Sequence, residues 1–173
     1  VPRIAGYTLV PDRHLVGIHP GGHFPSQQWP AAAFHALAQR ILQEYPRVRG
    51  RLIGGPQDRA GVEAVWAGLP PERVETVFPQ PQELPACLAG CALLICNNSG
   101  PLHLAAALGR PTVSTLGPTD PVRWSPQAAH AHTVRVAQTC SPCSRAVCRR
   151  HDCMKEISVE AMFRAFQQAW QEV

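Results

Sequence analysis

Short apolar runs alternate with stretches of helical spacing along nearly the whole chain. Leu15–His19, Arg51–Gly54, Val74–Phe78, Ala92–Cys96, Thr112–Leu116 and Thr133–Val136 are too short for helices, and the β-branched members favour strands. Ala92–Cys96 has no polar alternation, the pattern of a strand buried on both faces. Between the runs, Phe34, Leu37, Ala38, Ile41, Leu42 and Tyr45 keep one helical face, opened by Pro30 and ended by Pro46. Weaker helices are predicted over Gly61–Ala67, Gln82–Ala89 and Leu102–Leu108, the last stopped by Gly109 and Pro111. A closing helix is predicted over 158–172, with Ser158 as its cap and Ile157 and Met162 as a hydrophobic staple. Strands alternating with helices predict an α/β fold, a Rossmann-like parallel sheet with helices on both faces. Residues 1–13, with prolines at 2 and 11, read as a linker; residues 14–173 form the domain. Trp124 is placed on a loop.

Glycine- or hydroxyl-rich turns follow His19, Ile53, Cys96 and Leu116, each at the carboxyl end of a predicted strand. Ligands of open α/β sheets bind at that edge. In the first turn, Gly21 and Gly22 let backbone approach a ligand closely, and His23, Ser26 and Gln27 offer hydrogen bonds. In the second, Asp58 either caps the next helix or accepts hydrogen bonds from ribose hydroxyls. In the third, Asn97-Asn98-Ser99-Gly100 leads to Pro101, suited to the first helical position. Free N–H groups and the helix dipole favour an anion there, with the Ser99 hydroxyl beside it and His103 one turn on. The fourth is Gly117-Pro118-Thr119-Asp120-Pro121. Ordinary βα connections in a parallel sheet would also account for such turns. The dinucleotide pattern G-x-G-x-x-G is absent.

With 173 residues, 45% of them hydrophobic, the chain can form one domain with a real core. No apolar run approaches membrane-spanning length. A formal net charge of +4 is too modest for a nucleic-acid signature. The start, Val1-Pro-Arg-Ile, lacks both a signal-peptide pattern and an initiator methionine, so a fragment or processed chain is expected. Of the seven cysteines, Cys87, Cys91 and Cys96 sit in apolar settings and read as buried thiols. Cys140, Cys143, Cys148 and Cys153 are spaced C-x2-C-x4-C-x4-C within one basic loop. Three states stay open for them: a zinc or iron–sulfur site with His151 as a substitute ligand, disulfides, or plain thiols.

Two blocks resemble a known family. Pro20-Gly-Gly-His-Phe-Pro-Ser-Gln-Gln-Trp-Pro30 resembles a P-G-A-x-x-x-x-K-x-W-P loop. Asn98-Ser-Gly-Pro-Leu-His to Gly117-Pro-Thr-Asp-Pro121 resembles a D-S-G-P-x-H-L-A-A-A-L-G block that ends in G-P-T-D-P. The cysteine segment is also similar. The family is glycosyltransferase family nine, the ADP-heptose:lipopolysaccharide heptosyltransferases, and the likeness runs from about Leu15 to Trp170.

The resemblance implies the C-terminal, donor-binding half of a GT-B enzyme. The acceptor half, with the expected general base, lies outside this chain. The implied reaction is inverting transfer of a heptose or other sugar from an ADP-sugar to a lipopolysaccharide core, with no required cofactor. A cytoplasmic location is implied, with at most peripheral contact with the inner membrane. By position, Ser99, Gly100 and His103 face the donor pyrophosphate, Asp58 the nucleoside, and Thr119 and Asp120 line the same cleft; Gly21 and Gly22 belong to the first loop. Gln27 replaces the loop lysine and Asn98 the acidic residue before Ser-Gly. Losing the lysine's charge opposite the leaving diphosphate costs several kcal/mol of transition-state stabilisation on the scale of such contacts. A non-catalytic nucleotide-sugar binding or assembly module is the alternative.

Overall fold

In the computed structural model, which describes residues 10–173, the apolar runs form six parallel strands in the order β3-β2-β1-β4-β5-β6. They are β1 (Asp12–His19), β2 (Arg49–Ile53), β3 (Val74–Val77), β4 (Cys91–Asn97), β5 (Thr112–Thr115) and β6 (Ala131–Val134). The helices are α1 (Ala31–Glu44), α2 (Arg59–Trp66), α3 (Leu84–Ala89), α4 (Gly100–Ala107), α5 (Pro121–Trp124), α6 (Asp152–Lys155) and α7 (Val159–Trp170). Every residue of β4 is buried, as its unbroken apolar run requires. It pairs with β1 on one side and β5 on the other, with His19 opposite Cys96 and Asn97 opposite Thr115. The strand order reverses between β1 and β4, so the connections after them leave a crevice at their carboxyl ends.

Two apolar layers clamp the sheet. On one face, Phe34, Leu37 and Ile41 of α1, Val62 and Val65 of α2, and Met162, Phe163 and Phe166 of α7 pack against Val16, Ile18, Leu93 and Ile95. On the other, Leu88 of α3 and Leu102 and Ala105 of α4 pack against Leu15, Ile53, Leu94 and Cys96. Burying one such Leu, Ile or Phe side chain stabilises by about 1.5–3 kcal/mol, so the layers fix the sheet on which the loops stand. Ser158 caps α7 as expected, its hydroxyl accepting from Ala161 N–H at 3.1 Å. Ile157 and Met162, the expected staple, are both buried.

Several boundaries differ from the sequence reading. β1 begins at Asp12, inside the expected linker, of which residues 1–9 lie outside the described range. β6 is Ala131–Val134 rather than 133–136; all its residues are half-buried, so no apolar run marks its register. Ser99 is the N-cap of α4, which puts Pro101 at its second position. Trp124 belongs to α5 rather than to a loop, because the Asp120 carboxylate accepts Val122 N–H at 2.9 Å and Pro121 opens the turn.

Candidate functional site

The crevice is built around Asn97, at the end of β4. Its side chain is fully buried and has four protein partners. Oδ1 accepts from Trp29 N–H and the Thr115 hydroxyl, both at 2.9 Å. Nδ2 donates to Pro20 O at 2.7 Å and Gly21 O at 3.1 Å. One amide thus ties the loop after β1, the end of β4 and the end of β5 together. The sequence reading treats Asn97 only as a turn residue; a polar side chain ending a wholly apolar strand was the available signal.

Beside it, His19 and Asp58 meet. His19 Nε2 lies 3.7 Å from Asp58 Oδ2, and the same oxygen accepts Gly55 N–H at 2.8 Å. The carboxyl makes no capping bond to α2; its bond to Gly55 N–H instead closes the short turn Pro56–Asp58 that leads into that helix. Contact with His19 holds Asp58 below the usual carboxylate range; burial opposes this shift and the Gly55 N–H assists it. Gly21 leaves the space that this carboxylate occupies, since a Cβ there would stand 2.4 Å from its carbon. Gly54 is equally confined, 2.7 Å from Val62 and 3.1 Å from Asp58 Cβ.

His19, Gly22, His23, Asp58, Ser99 and Gly100 line one cleft of about 360 Å³, which is floored by the turns after β1, β2 and β4. Ser99 sends its hydroxyl back to Asn97 O at 3.3 Å and makes no side-chain bond to the start of α4. Thr119 is 5% exposed with its hydroxyl unpartnered, and His19 Nδ1 is likewise buried without a partner. Buried polar atoms of that kind are rare and cost free energy until something satisfies them.

The other expected residues sit differently. Asn98 is buried and donates to Trp124 O at 2.8 Å. His103 is exposed on α4, and partial burial lowers its pKa. Gln27 closes the short turn Pro25–Gln27, and Asp120 caps α5. None of these four, nor Thr119, lines the 360 Å³ cleft. A larger cavity of about 470 Å³ lies at the opposite edge of the sheet, lined by Arg13, Tyr45, Val48 and Trp170, far from every residue named for the site.

All seven cysteines are free thiols. Burial pushes Cys91 up to about 12 and Cys96 higher still, so neither is a ready nucleophile. Cys140 and Cys143 are exposed, Cys148 is half-buried and Cys153 is buried. Burial raises the Cys153 thiol, and the neighbouring Cys143, Cys140 and Cys148 raise it further. Among the described residues no three histidine, cysteine, aspartate or glutamate side chains are already closed around a common point. His151 is engaged elsewhere, its Nε2 2.9 Å from Ser26 O.

Comparison with known proteins gives the same reading of the fold. The profile of glycosyltransferase family 9 (heptosyltransferase) matches residues 5–154. Lipopolysaccharide heptosyltransferase 2 of Salmonella typhimurium is 31% identical over 139 residues, covering 75% of this chain and 38% of that protein. The structure of E. coli ADP-heptose lps heptosyltransferase II superposes with a TM-score of 0.79 at 23% identity, covering 95% of this chain and 49% of that one. E. coli heptosyltransferase WaaC with ADP superposes at 0.75 and 18% identity, covering 90% and 44%. The chain therefore spans less than half the length of these relatives. With the profile matched over most of its length, and with the parallel sheet and its crevice in place, the chain belongs to glycosyltransferase family 9.

Proposed function

We propose that this chain is the C-terminal, donor-binding half of a heptosyltransferase-like enzyme, and that its ligand is an ADP-sugar. The observation that carries the reading is the cleft where the strand order reverses. There the Asp58 carboxylate and the N-terminus of α4 line the same cleft, together with His19, whose buried Nδ1 is unsatisfied. A nucleoside diphosphate fits that polarity. Ribose hydroxyls donate to Asp58, and the phosphates take the N–H groups of α4 and the Ser99 hydroxyl. The ADP in the related WaaC structure supports adenine as the base.

The chemistry asked of this half is positioning and leaving-group stabilisation. An acceptor hydroxyl attacks the anomeric carbon from the face opposite the diphosphate, the bond to ADP breaks, and the sugar is inverted. The general base comes from the acceptor half, and the acceptor is a lipopolysaccharide core at the cytoplasmic face of the membrane, where the enzyme makes peripheral contact at most. Among the described residues no helix is long and apolar enough to cross a membrane.

Gln27 and Asn98 favour a second reading, a module that binds a nucleotide-sugar without catalysis. The Asn98 amide is committed to the Trp124 carbonyl, where the family block has a carboxylate.

Calorimetric titration with ADP, UDP and GDP at low salt tests the proposal. Selective ADP binding, lost in Ser99→Ala, is the expected result. Absence of binding to all three by the folded domain overturns it. Transfer restored by adding an acceptor half eliminates the non-catalytic reading.

A further inference from the structure

A nucleotide-sugar carries a negative charge on each of its phosphates, and the cleft has little to set against them. Among the described residues, its lining contains no lysine and no arginine. The start of α4 offers the helix dipole, equivalent to about half a positive charge. His19 and Asp58 add nothing positive. With His19 neutral the pair carries minus one, and with His19 charged the two cancel across 3.7 Å. Gln57 and Ser99 are uncharged. His23 is then the one lining side chain that can bring a net positive charge.

His23 directly follows Gly22 in the turn after β1. It is exposed, and its ring meets only the neighbouring Phe24, edge-on, with centroids 4.3 Å apart. Its nitrogens make no hydrogen bond among the described residues. Such a ring can turn toward a ligand, and it can take a second proton without stranding a buried N–H. The backbone beneath it is held on both sides. Gln28 Nε2 donates to Gly22 O at 2.8 Å. Ser26 N–H donates to Ala146 O at 3.2 Å, its hydroxyl donates to Arg145 O, and His151 Nε2 lies 2.9 Å from Ser26 O. The exposed segment between β6 and α6 thus straps this loop. The same segment holds the turn after β5, where Cys143 N–H and Ser144 N–H donate to Pro118 O at 2.9 and 2.8 Å. The charged and titratable groups brought to His23 are therefore Asp58 and His19 in the cleft, and Arg145 and His151 on the strap. The last two do not line the cleft, and neither does His103 of α4.

We propose that His23 is the cation of the cleft, and that it meets the diphosphate as an imidazolium, taking up a proton from solvent as the nucleotide enters. The inference rests on the reading of the cleft as a nucleotide-sugar site. A ligand that binds the protonated ring more tightly raises the ring's pKa by the same factor. Affinity is then highest below the pKa of the free imidazole and falls as pH rises through that of the bound one.

The test follows the His23 ring resonances by NMR across about pH 5.5–8.5, the range in which histidine titrates, in the free chain and with saturating ADP. His23→Gln assigns the signal. The expected result is a titration midpoint raised by at least about half a pH unit, equivalent to roughly threefold tighter binding to the charged ring. Calorimetry in buffers of different ionisation enthalpy should find more proton uptake in the parent chain than in His23→Gln. Titration of the ADP phosphates is common to both proteins and cancels in that difference. His23 is exposed, so the variant keeps its fold, which circular dichroism checks. An unmoved midpoint while ADP binds, or equal proton uptake by the two proteins, would overturn the role of His23 and leave the nucleotide site standing. Absence of ADP binding by the folded chain would overturn the site itself, and this inference with it.

Discussion

Asn97 and Cys143 both stand at the carboxyl edge of the sheet. The first is 0% exposed and holds three chain segments through four side-chain hydrogen bonds. The second is exposed and joined to the rest of the molecule through its backbone N–H. The wall of the crevice over β4 is thus fixed from below by the core. The wall over β5 is fixed from outside by a long strap whose own residues bury little. A polar side chain inside the core is effective because each lost bond leaves a buried group unsatisfied. A strap of exposed residues has no such leverage and is tied by hydrogen bonds to Gly117, Pro118 and Ser26. The two walls should therefore fail differently.

The largest expected effect is at the hub. Asn97→Leu removes four bonds and strands Trp29 N–H, the Thr115 hydroxyl and two carbonyls. At roughly 1–3 kcal/mol for each buried unsatisfied group, relaxation leaves a loss of about 4 kcal/mol, a large share of the roughly 5–15 kcal/mol that holds a domain folded. Urea denaturation measures it. A loss below about 1 kcal/mol, the scale of one ordinary hydrogen bond, would put the hub elsewhere.

Next comes Gly21→Ala. The added Cβ occupies the Asp58 carboxylate's space, so Asp58 moves while the core beneath stays intact. ADP affinity should fall at least about tenfold, equivalent to ~1.4 kcal/mol, with the melting temperature little changed. Unaltered affinity would remove Asp58 from the ligand site.

The smallest effect sharpens the comparison by pH. The folded pKa of Asp58 is depressed, so its contribution to stability is present above the unfolded value and is lost as pH falls through the folded one. Between roughly pH 5 and pH 2, Asp58→Asn should lose less stability than the parent chain. Parallel acid limbs in the two proteins would show that His19 and Gly55 do not hold the carboxylate.

The strands were legible wherever burial on both faces writes an apolar run, as in β4, and less so in β6, whose half-buried residues leave the register unmarked. Of the expected site residues, Gly22, Asp58, Ser99 and Gly100 line one cleft, and Gly21 makes room for it. Asn97 and His19 escaped notice for one reason: their roles rest on partners 18 to 77 residues away for Asn97 and on Asp58, across the crevice, for His19. Such pairings are set by strand order and register, which local spacing does not encode. Asn98 illustrates the same limit, since its departure from the family block gave no sign that its amide would turn to the Trp124 carbonyl.

The central claim places the ligand at the carboxyl ends of β1 and β4, where the strand order reverses, rather than in the larger cavity beside Tyr45 and Trp170. Backbone amide shifts of the isotope-labelled domain, recorded while ADP is added, address it directly. The account predicts saturable shifts at Gly21, Gly22, Gly55, Asp58, Ser99 and Gly100, and none at Tyr45, Val48 and Trp170. Shifts confined to the second group, or no shifts in the folded domain at saturating ADP, would contradict it.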